Sequence, residues 1–362
     1  MRIGVLEWAT AGGSKRQEMP ASIAEEGWAM CRAVLISLLQ SGQQAVALVD
    51  QPRAAQCAND PVFAAFPPGQ LTLVERDRSR RQWRSTYESC DRTLLIAPEM
   101  GGILQRMLKR FSKTELPTCN GSPRFVRNAS NKWITARKLR QQDLPHPPTR
   151  RLSDATRPWL ERQNADHRFR VGTEPIWVLK PIDGVGCEGI VRLTTADILK
   201  LGDKKRFCGP KDWLVQPWLQ GQALSRAAIV DQSGTAHWLP VVRQHLSLTD
   251  NVVYRGGTVE PDLAAQMPAL DDLFNRALDC LGRHPRGWIG IDFLWNPSNA
   301  VQPITIIEVN PRLTTSFVGL SAAGSPNLAW LIVAAAMGQT IQLPTAWQKT
   351  HFSSTGIWQV EK

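Results

Sequence analysis

Short apolar runs at residues 2–8 (RIGVLEW) and 45–50 (AVALVD) flank a stretch, about 23–40, in which apolar residues recur every three to four positions. The two runs predict buried strands and the stretch between them a helix with one apolar face. A third run of strand type, TLLIA at 93–97, follows an Arg-rich stretch. Strands alternating with a helix at this spacing predict a small open α/β unit over residues 1–110. The tips of such strands carry ligand groups. Here they would be Glu7, Gly12 and Gly13 after the first strand, and Pro98 and Glu99 after the third.

From Ser130 a helical pattern runs to about Gln142, where PHPPTRRL breaks it. The Pro- and Arg-rich stretch 145–175 opens a strand-rich region: IWVLKPI (176–182), GIVRL (189–193), WLVQPWL (213–219) and LSRAAIVD (224–231). The last third holds a helix near 262–281, the strands WIGIDFLW (288–295) and ITIIEVN (304–310), and a helix at about 327–337. The predicted class is therefore α/β and α+β: an open α/β unit, a β-rich insert, then an α+β unit. Residues 343–362 read as a C-terminal tail.

At 362 residues the chain is long enough for two or three packed units. Hydrophobic residues at 43% and charged residues at 21% exclude disorder as the dominant state. No apolar run approaches the ~20 residues needed to span a bilayer, so no membrane partner is expected. The start lacks the pattern of a signal peptide. Seven cysteines without a CxxC pair predict reduced thiols in a cytoplasmic protein. The net charge of +11 is uneven, because residues 76–170 hold 22 basic and 9 acidic residues and the remainder is nearly balanced. Clustered Lys and Arg suit nucleic acid. No recognition motif or aromatic platform accompanies them, so a basic face or a field for a small anionic substrate is expected instead.

Gly184-Val-Gly186-Cys-Glu-Gly189 fits the dinucleotide pattern G-x-G-x-x-G letter for letter. That fingerprint requires a helix after the turn. The following Ile190-Val-Arg-Leu193 alternates and is β-branched, and Asp203, at the distance of a ribose acid, stands in a basic loop. A strand–turn–strand flap is predicted instead, whose amides fold over a phosphate chain while Lys180 adds a point charge. The bland alternative is a hairpin with a glycine tip. No Walker A sequence is present.

Asp292 in GIDFLW and Glu308 and Asn310 in IIEVNPR form a second constellation. Glu308 and Asn310 are two apart on a predicted strand and share one face. All three offer hard oxygen ligands of the kind Mg²⁺ takes, with Mn²⁺ as its substitute. Acidic residues in such apolar strands are costly to bury unless paired or metal-bound. Arg312 follows, with a planar fork suited to anionic oxygens. In WLVQPWLQG (213–221), a strand runs into Gln216, Pro217, Trp218 and Leu219, a segment able to present backbone and apolar groups to a purine.

Taken in order, Lys132 in SNKWITARKL, Lys180 with its glycine turn, QPWLQG, Asp292, and Glu308-x-Asn310-Pro-Arg312 resemble the ATP-grasp superfamily. The resemblance covers about residues 110–340. It implies an ATP-grasp fold with an N-terminal open α/β domain (1–110), a β-rich lid at about 145–215 within the ATP-grasp region 111–342, and a C-terminal α+β domain. It also implies that Lys132, Lys180, Gly184, Gly186 and Gly189 meet the ATP phosphates. Gln216, Pro217, Trp218 and Leu219 would then hold adenine, and Asp292, Glu308 and Asn310 would hold Mg²⁺. Many relatives carry Glu at the position of Gln216 and an acidic ribose ligand soon after. Here Gln220, Gln222 and Ala223 stand there, which leaves the ribose contact open. LEWATAGG, EEGWAM, LLIAPE and EVNPRLTTSFVGL look like the tyramine–glutamate ligase group of methanofuran-type cofactor biosynthesis.

The expected activity is an ATP- and Mg²⁺-dependent ligase that joins a small carboxylate to an amine through an acylphosphate, with Arg312 and Lys180 as catalytic groups. The pair could be glutamate with tyramine or a related amine, and the assembly a homodimer. Substrate contacts are expected from Glu7 to Gly13, Glu99, Arg243 and the run Tyr254, Arg255, Gly256 and Gly257, the arginines suiting a carboxylate. The rival from another class is a non-catalytic nucleotide-binding sensor or scaffold module.

Overall fold

The computed structural model describes residues 1–361 apart from 14–19, 78–81, 167–175, 203–211, 249–251 and 325–326. Asp203 and parts of the basic stretch thus lie outside the described residues.

The N-terminal strands β1 (Arg2–Glu7), β2 (Gln44–Val49), β3 (Leu71–Glu75) and β4 (Arg92–Ile96) form a parallel sheet in the order β3-β2-β1-β4. Strands covered on both faces read as unbroken apolar runs, which is why β1, β2 and β4 stood out in the sequence. The edge strand β3 is short and half-buried, and it did not. The helix Ala21–Gln40 buries Trp28, Cys31, Leu35 and Leu38, spaced three to four apart. Its Ser37 hydroxyl accepts a hydrogen bond from the Ala329 amide at 2.9 Å, joining the first unit to the last.

Strands β5 (Arg150–Arg151), β6 (Ile176–Pro181), β7 (Val191–Thr194) and β8 (Trp213–Pro217) form a small antiparallel sheet in the order β5-β8-β6-β7. It has its own core of Leu152, Trp159, Leu160, Trp177, Leu179, Ile198 and Val215. This is the β-rich lid.

The third unit is a seven-stranded sheet of β9 (Gln222–Val230), β10 (Ala236–Leu248), β11 (Val252–Glu260), β12 (Gly287–Trp295), β13 (Ile304–Asn310), β14 (Thr350–Ser353) and β15 (Trp358–Val360). Its order is β13-β12-β9-β10-β11-β14-β15, antiparallel throughout. The helices Ser316–Ala323 and Leu328–Ala336 are largely buried and apolar all round. Among the described residues, no single helix is long and apolar enough to cross a membrane.

Four points of the sequence reading are corrected. The strands at 213–219 and 224–231 do not belong together: β8 closes the lid sheet, whereas β9 lies inside the large one. The long β10–β11 hairpin is missing from the sequence prediction because Pro240 sits at a register break between Trp238 and Val241 and interrupts the alternation. Residues 343–362 are not a tail: β14 pairs with β11, and Phe352 is buried against Gly256, Gly257 and Gly319. The helix expected near 262–281 starts only at Leu270, because Pro268 separates it from the 3₁₀ turn Leu263–Gln266.

Candidate active site

Lys132 is the first residue of the helix Lys132–Gln141, whose Asn131 cap accepts a hydrogen bond from the Ile134 amide at 2.9 Å. The Lys132 amide donates to the Ile182 carbonyl at 3.0 Å, which ties the helix start to the end of β6. Its side chain then bridges the two sheets. Lys132 Nζ donates to the Gly184 carbonyl at 2.6 Å and pairs with Glu308 Oε2 at 2.9 Å.

On the large sheet, β12 and β13 place Asp292 directly opposite Glu308. Asp292 Oδ2 accepts from Asn310 Nδ2 at 3.0 Å, and its Oδ1 accepts from Gln244 Nε2 on β10 at 3.1 Å. Burial and the neighbouring Glu308 push Asp292 well above the usual carboxylate range. Burial would raise Glu308 as well, but the ammonium groups of Lys132 and Lys180 outweigh it and hold that carboxyl low. The two carboxyls thus share a proton, as adjacent buried acids do.

A small hard cation would take that proton's place. Two carboxylates and the Asn310 amide oxygen form an oxygen-only donor set that fits Mg²⁺ and leaves positions for phosphate oxygens. No group of three or more His, Cys, Asp or Glu able to hold a metal occurs among the described residues. The nucleotide would have to supply the remaining ligands.

Lys180, 2% exposed at the end of β6, shares this space. Burial lowers its ammonium to about 8 against the pull of Glu308, and the charge on Lys132 lowers it further. In the turn after β6, Gly186 (φ 60°), Cys187 (φ 62°) and Gly189 (φ 74°) adopt left-handed backbone. Gly184, Cys187 and Glu188 line a cavity of about 350 Å³ together with Lys132, Lys180, Gln216, Pro217, Trp218, Leu219, Asp292 and Glu308. Most of the candidate phosphate, purine and metal residues therefore surround one space between the lid and the large sheet, whereas Gly186, Gly189 and Asn310 are not part of its lining. Gln216 is less free than the sequence suggests, since its Nε2 donates to Thr149 Oγ1 at 2.8 Å. Trp218 is capped by the Arg192 guanidinium, 4.6 Å from the ring centroid. Ala223, at the open ribose position, also lines the cavity.

A second groove of about 680 Å³ is lined by residues that include Arg137, Arg140, Arg150, His146 and Trp159. It holds part of the basic surplus but none of the lysine–carboxylate set.

Arg312 follows β13 and reaches the N-terminal unit. Its Nε donates to Glu99 Oε2 at 2.7 Å and its Nη1 to the Leu313 carbonyl at 2.9 Å. Burial disfavours the guanidinium, yet Glu99 more than compensates and keeps it charged. Glu99 Oε1 is buried with no hydrogen-bond partner among the described residues. The Gly101 amide donates to Asp183 Oδ2 at 2.6 Å, so the glycine turn also rests on the N-terminal unit.

Four expected substrate contacts are not brought to this space. Glu7 is buried, and its carboxylate accepts from the amides of Ala9 (3.0 Å) and Thr10 (2.6 Å) and from the Thr10 hydroxyl. It braces its own turn. Arg243 pairs with Glu260 at 3.1 Å and with Gln222, whereas its neighbour Gln244 is the β10 residue that faces Asp292. Arg255 is exposed beside the irregularity in the β10–β11 pairing. Gly256 (φ 121°) is required by packing, because an added β-carbon would lie 2.0 Å from the Phe352 carbonyl oxygen.

Two site residues were not foreseen. Gln244 gave no signal, because its strand was unread. Glu26 lies in the EEGWAM stretch and faces Arg312 and Thr315. Burial raises its carboxyl to about 7 against the opposing pull of Arg312 and the Thr315 hydrogen bond.

Two sheets enclosing a cleft, with Lys180 on one, Asp292 and Glu308 on the other and Lys132 reaching in from a helix start, define a protein of the class that holds a nucleotide between a lid and a base. The chain belongs to the ATP-grasp family: its ATP-grasp domain spans residues 129–316, and a pre-ATP-grasp domain spans 57–121. It is 24% identical over 265 residues to the tyramine–L-glutamate ligase of Methanocaldococcus jannaschii, covering 72% of this chain and 68% of that protein. The same identity over 249 residues relates it to the tyramine–L-glutamate ligase of Methanocaldococcus fervens, covering 68% of this chain and 66% of that one. An ATP-grasp superfamily protein from Archaeoglobus fulgidus superposes with a TM-score of 0.63 at 18% identity, over 97% of this chain and 91% of that one. The ADP complex of N5-carboxyaminoimidazole synthetase from Staphylococcus aureus gives 0.65 at 13%, over 97% and 81%. These likenesses establish the ATP-grasp fold.

Proposed function

We propose that this protein is an ADP-forming carboxylate–amine ligase that makes an amide through an acylphosphate. The observation that carries the reading is the cleft in which Lys132 and Lys180 face Asp292 and Glu308 beneath the glycine turn, with Asn310 hydrogen-bonded to Asp292. Lys132 and Lys180 hold the phosphate chain of ATP, and the turn amides close over it. A carboxylate oxygen attacks the γ-phosphorus and ADP departs; the amine nitrogen then attacks the acyl carbon and phosphate leaves. Mg²⁺ held by Asp292, Glu308 and Asn310 would neutralise charge on the transferring phosphoryl group. Arg312 supplies donors where oxyanion charge develops in the acyl-transfer step. No side chain needs to act as a covalent nucleophile.

Glutamate and tyramine are the first pair to try, since the curated relatives are tyramine–L-glutamate ligases. A screen of amino acids against amines, read as ADP and phosphate release, tests the reading. Release that requires both an acid and an amine is expected. Tight ATP binding with no release under any pair would favour a nucleotide sensor.

Lys180→Ala should weaken ATP binding by roughly 10- to 100-fold, the ~1.5–3 kcal/mol of a charge-assisted hydrogen bond. In the free protein Lys180 titrates at about 8, so it is charged below that pH and neutral above it. ATP selects the charged form. Its affinity should therefore fall between pH 7 and 9, with proton uptake on binding at the higher pH. Calorimetry in buffers of different ionisation heat reads both effects, and Lys180→Ala should abolish the uptake. Unchanged affinity in the variant would make the glycine hairpin merely structural.

A further inference from the structure

The lysines, the carboxylate pair and Arg312 account for ATP and the acyl group, but they leave the amine without a partner. An amine arrives at neutral pH as an ammonium ion, which has no lone pair to attack with. Some group must take its proton. Where the glycine turn meets the N-terminal unit, one carboxylate makes no ion pair among the described residues.

Glu26 projects from the helix Ala21–Gln40. A β-carbon added at Gly186 would sit 3.6 Å from both of its carboxylate oxygens, so the carboxylate lies against the open face of the glycine turn. Three further groups interact with it electrostatically: the Thr315 hydroxyl, which hydrogen-bonds to it, the Arg312 guanidinium and, from β11, Tyr254. Cys187 of the turn lies within its field as well. Arg312 nevertheless gives its direct ion pair to Glu99, and Glu26 forms no salt bridge with it. Glu26 is therefore a half-buried carboxylate with lone pairs to spare, beside the arginine that faces the acyl group.

We propose that Glu26 binds the ammonium group of the amine substrate and accepts its proton. The proposal rests on the ligase reading above. The nitrogen gives one proton to the Glu26 carboxylate, and its freed lone pair forms the C–N bond to the acyl carbon. The C–O bond to phosphate breaks, and phosphate leaves with that electron pair. The departing phosphate takes the second proton from nitrogen, so the products are a neutral amide, hydrogen phosphate and protonated Glu26. Burial holds Glu26 near 7, and the positive charge of Arg312 keeps it from rising further, which suits a proton acceptor working at neutral pH. Tyr254 and Cys187 are themselves pushed up by burial and stay neutral there.

The test compares two nucleophiles on wild type and Glu26→Gln, using the acid that supports turnover in the screen. Tyramine, or whichever amine the screen selects, needs a base. Hydroxylamine is already neutral at neutral pH and traps the acylphosphate as a hydroxamate without one. Glu26→Gln should lower kcat with the amine by ~10²-fold or more. Hydroxamate formation should change by less than about tenfold, which also shows that the variant is folded and still activates the acid. In wild type, kcat with the amine should rise with pH through about 7, and that limb should vanish in the variant. Equal losses with both nucleophiles would make Glu26 a mere counter-charge for Arg312 and overturn the proposal, as would full activity with the amine. Wild type that yields neither ADP nor hydroxamate with any acid would instead sink the ligase reading itself.

Discussion

Glu308→Gln should cut amide-forming turnover by ~10³-fold or more while keeping the shape of the side chain. Glu308 stands opposite Asp292 across β12 and β13 and is the ion-pair partner of Lys132 at 2.9 Å. At the proposed metal site the change would replace an anionic ligand by a neutral amide oxygen, and metal stabilisation of a transferring phosphoryl group is worth several kcal/mol, about 4 for a thousandfold. The same change leaves Lys132 and Lys180 close together without their strongest anion. Breaking a buried pair in this way costs about 3–5 kcal/mol. Folded Lys180 titrates below the usual lysine range, at about 8, so its share of the stability loss should ease as pH rises past 8, whereas the share of Lys132, held above the usual lysine range, should persist. ADP release and urea melts at pH 7 and 9 measure the two effects. Near-normal turnover would end the metal assignment.

Arg312→Lys should leave ATP affinity within a few-fold of wild type and lower kcat by ~10²-fold, the size typical of losing one transition-state donor. The guanidinium meets three demands at once. Nε binds Glu99, Nη1 binds the Leu313 carbonyl, and the remaining nitrogen is left for the substrate side. A lysine keeps the charge beside the buried Glu99, so the fold should survive, but it has no planar fork with which to meet all three. ATP binding and amide formation measured on the same preparation decide the matter. Full amide-forming activity in the variant would reduce Arg312 to a clasp between two units.

Legibility in the sequence followed the reach of local rules. Glu308 and Asn310 were placed on one face because side chains alternate along a strand, and the strand itself was evident as ITIIEVN. The same rule could not be applied to β10, where Pro240 hid the strand. Arg243 was preferred over Gln244, although a one-residue step puts them on opposite faces of the sheet. Glu7 looked available because it ends a strand, the position where ligand groups gather. Its use by the amides of Ala9 and Thr10 depends on how the next turn folds. Glu99 was legible as a strand tip, but its partner Arg312 is 213 residues away.

The sequence by itself determined the open α/β start, the glycine turn with Lys180 before it, and the paired oxygen donors on β12 and β13. Each of these rests on a period of two or 3.6 residues or on a backbone that only small residues adopt readily, so a few neighbouring positions suffice. Only the tertiary structure decided that Lys132 bridges the turn to Glu308, that Glu99 clasps Arg312, that Glu26 faces Gly186, and that β14 and β15 complete the large sheet. Those arrangements join segments tens to hundreds of residues apart. They depend on which charge finds a partner once both are buried, a balance of desolvation and pairing that no local pattern records.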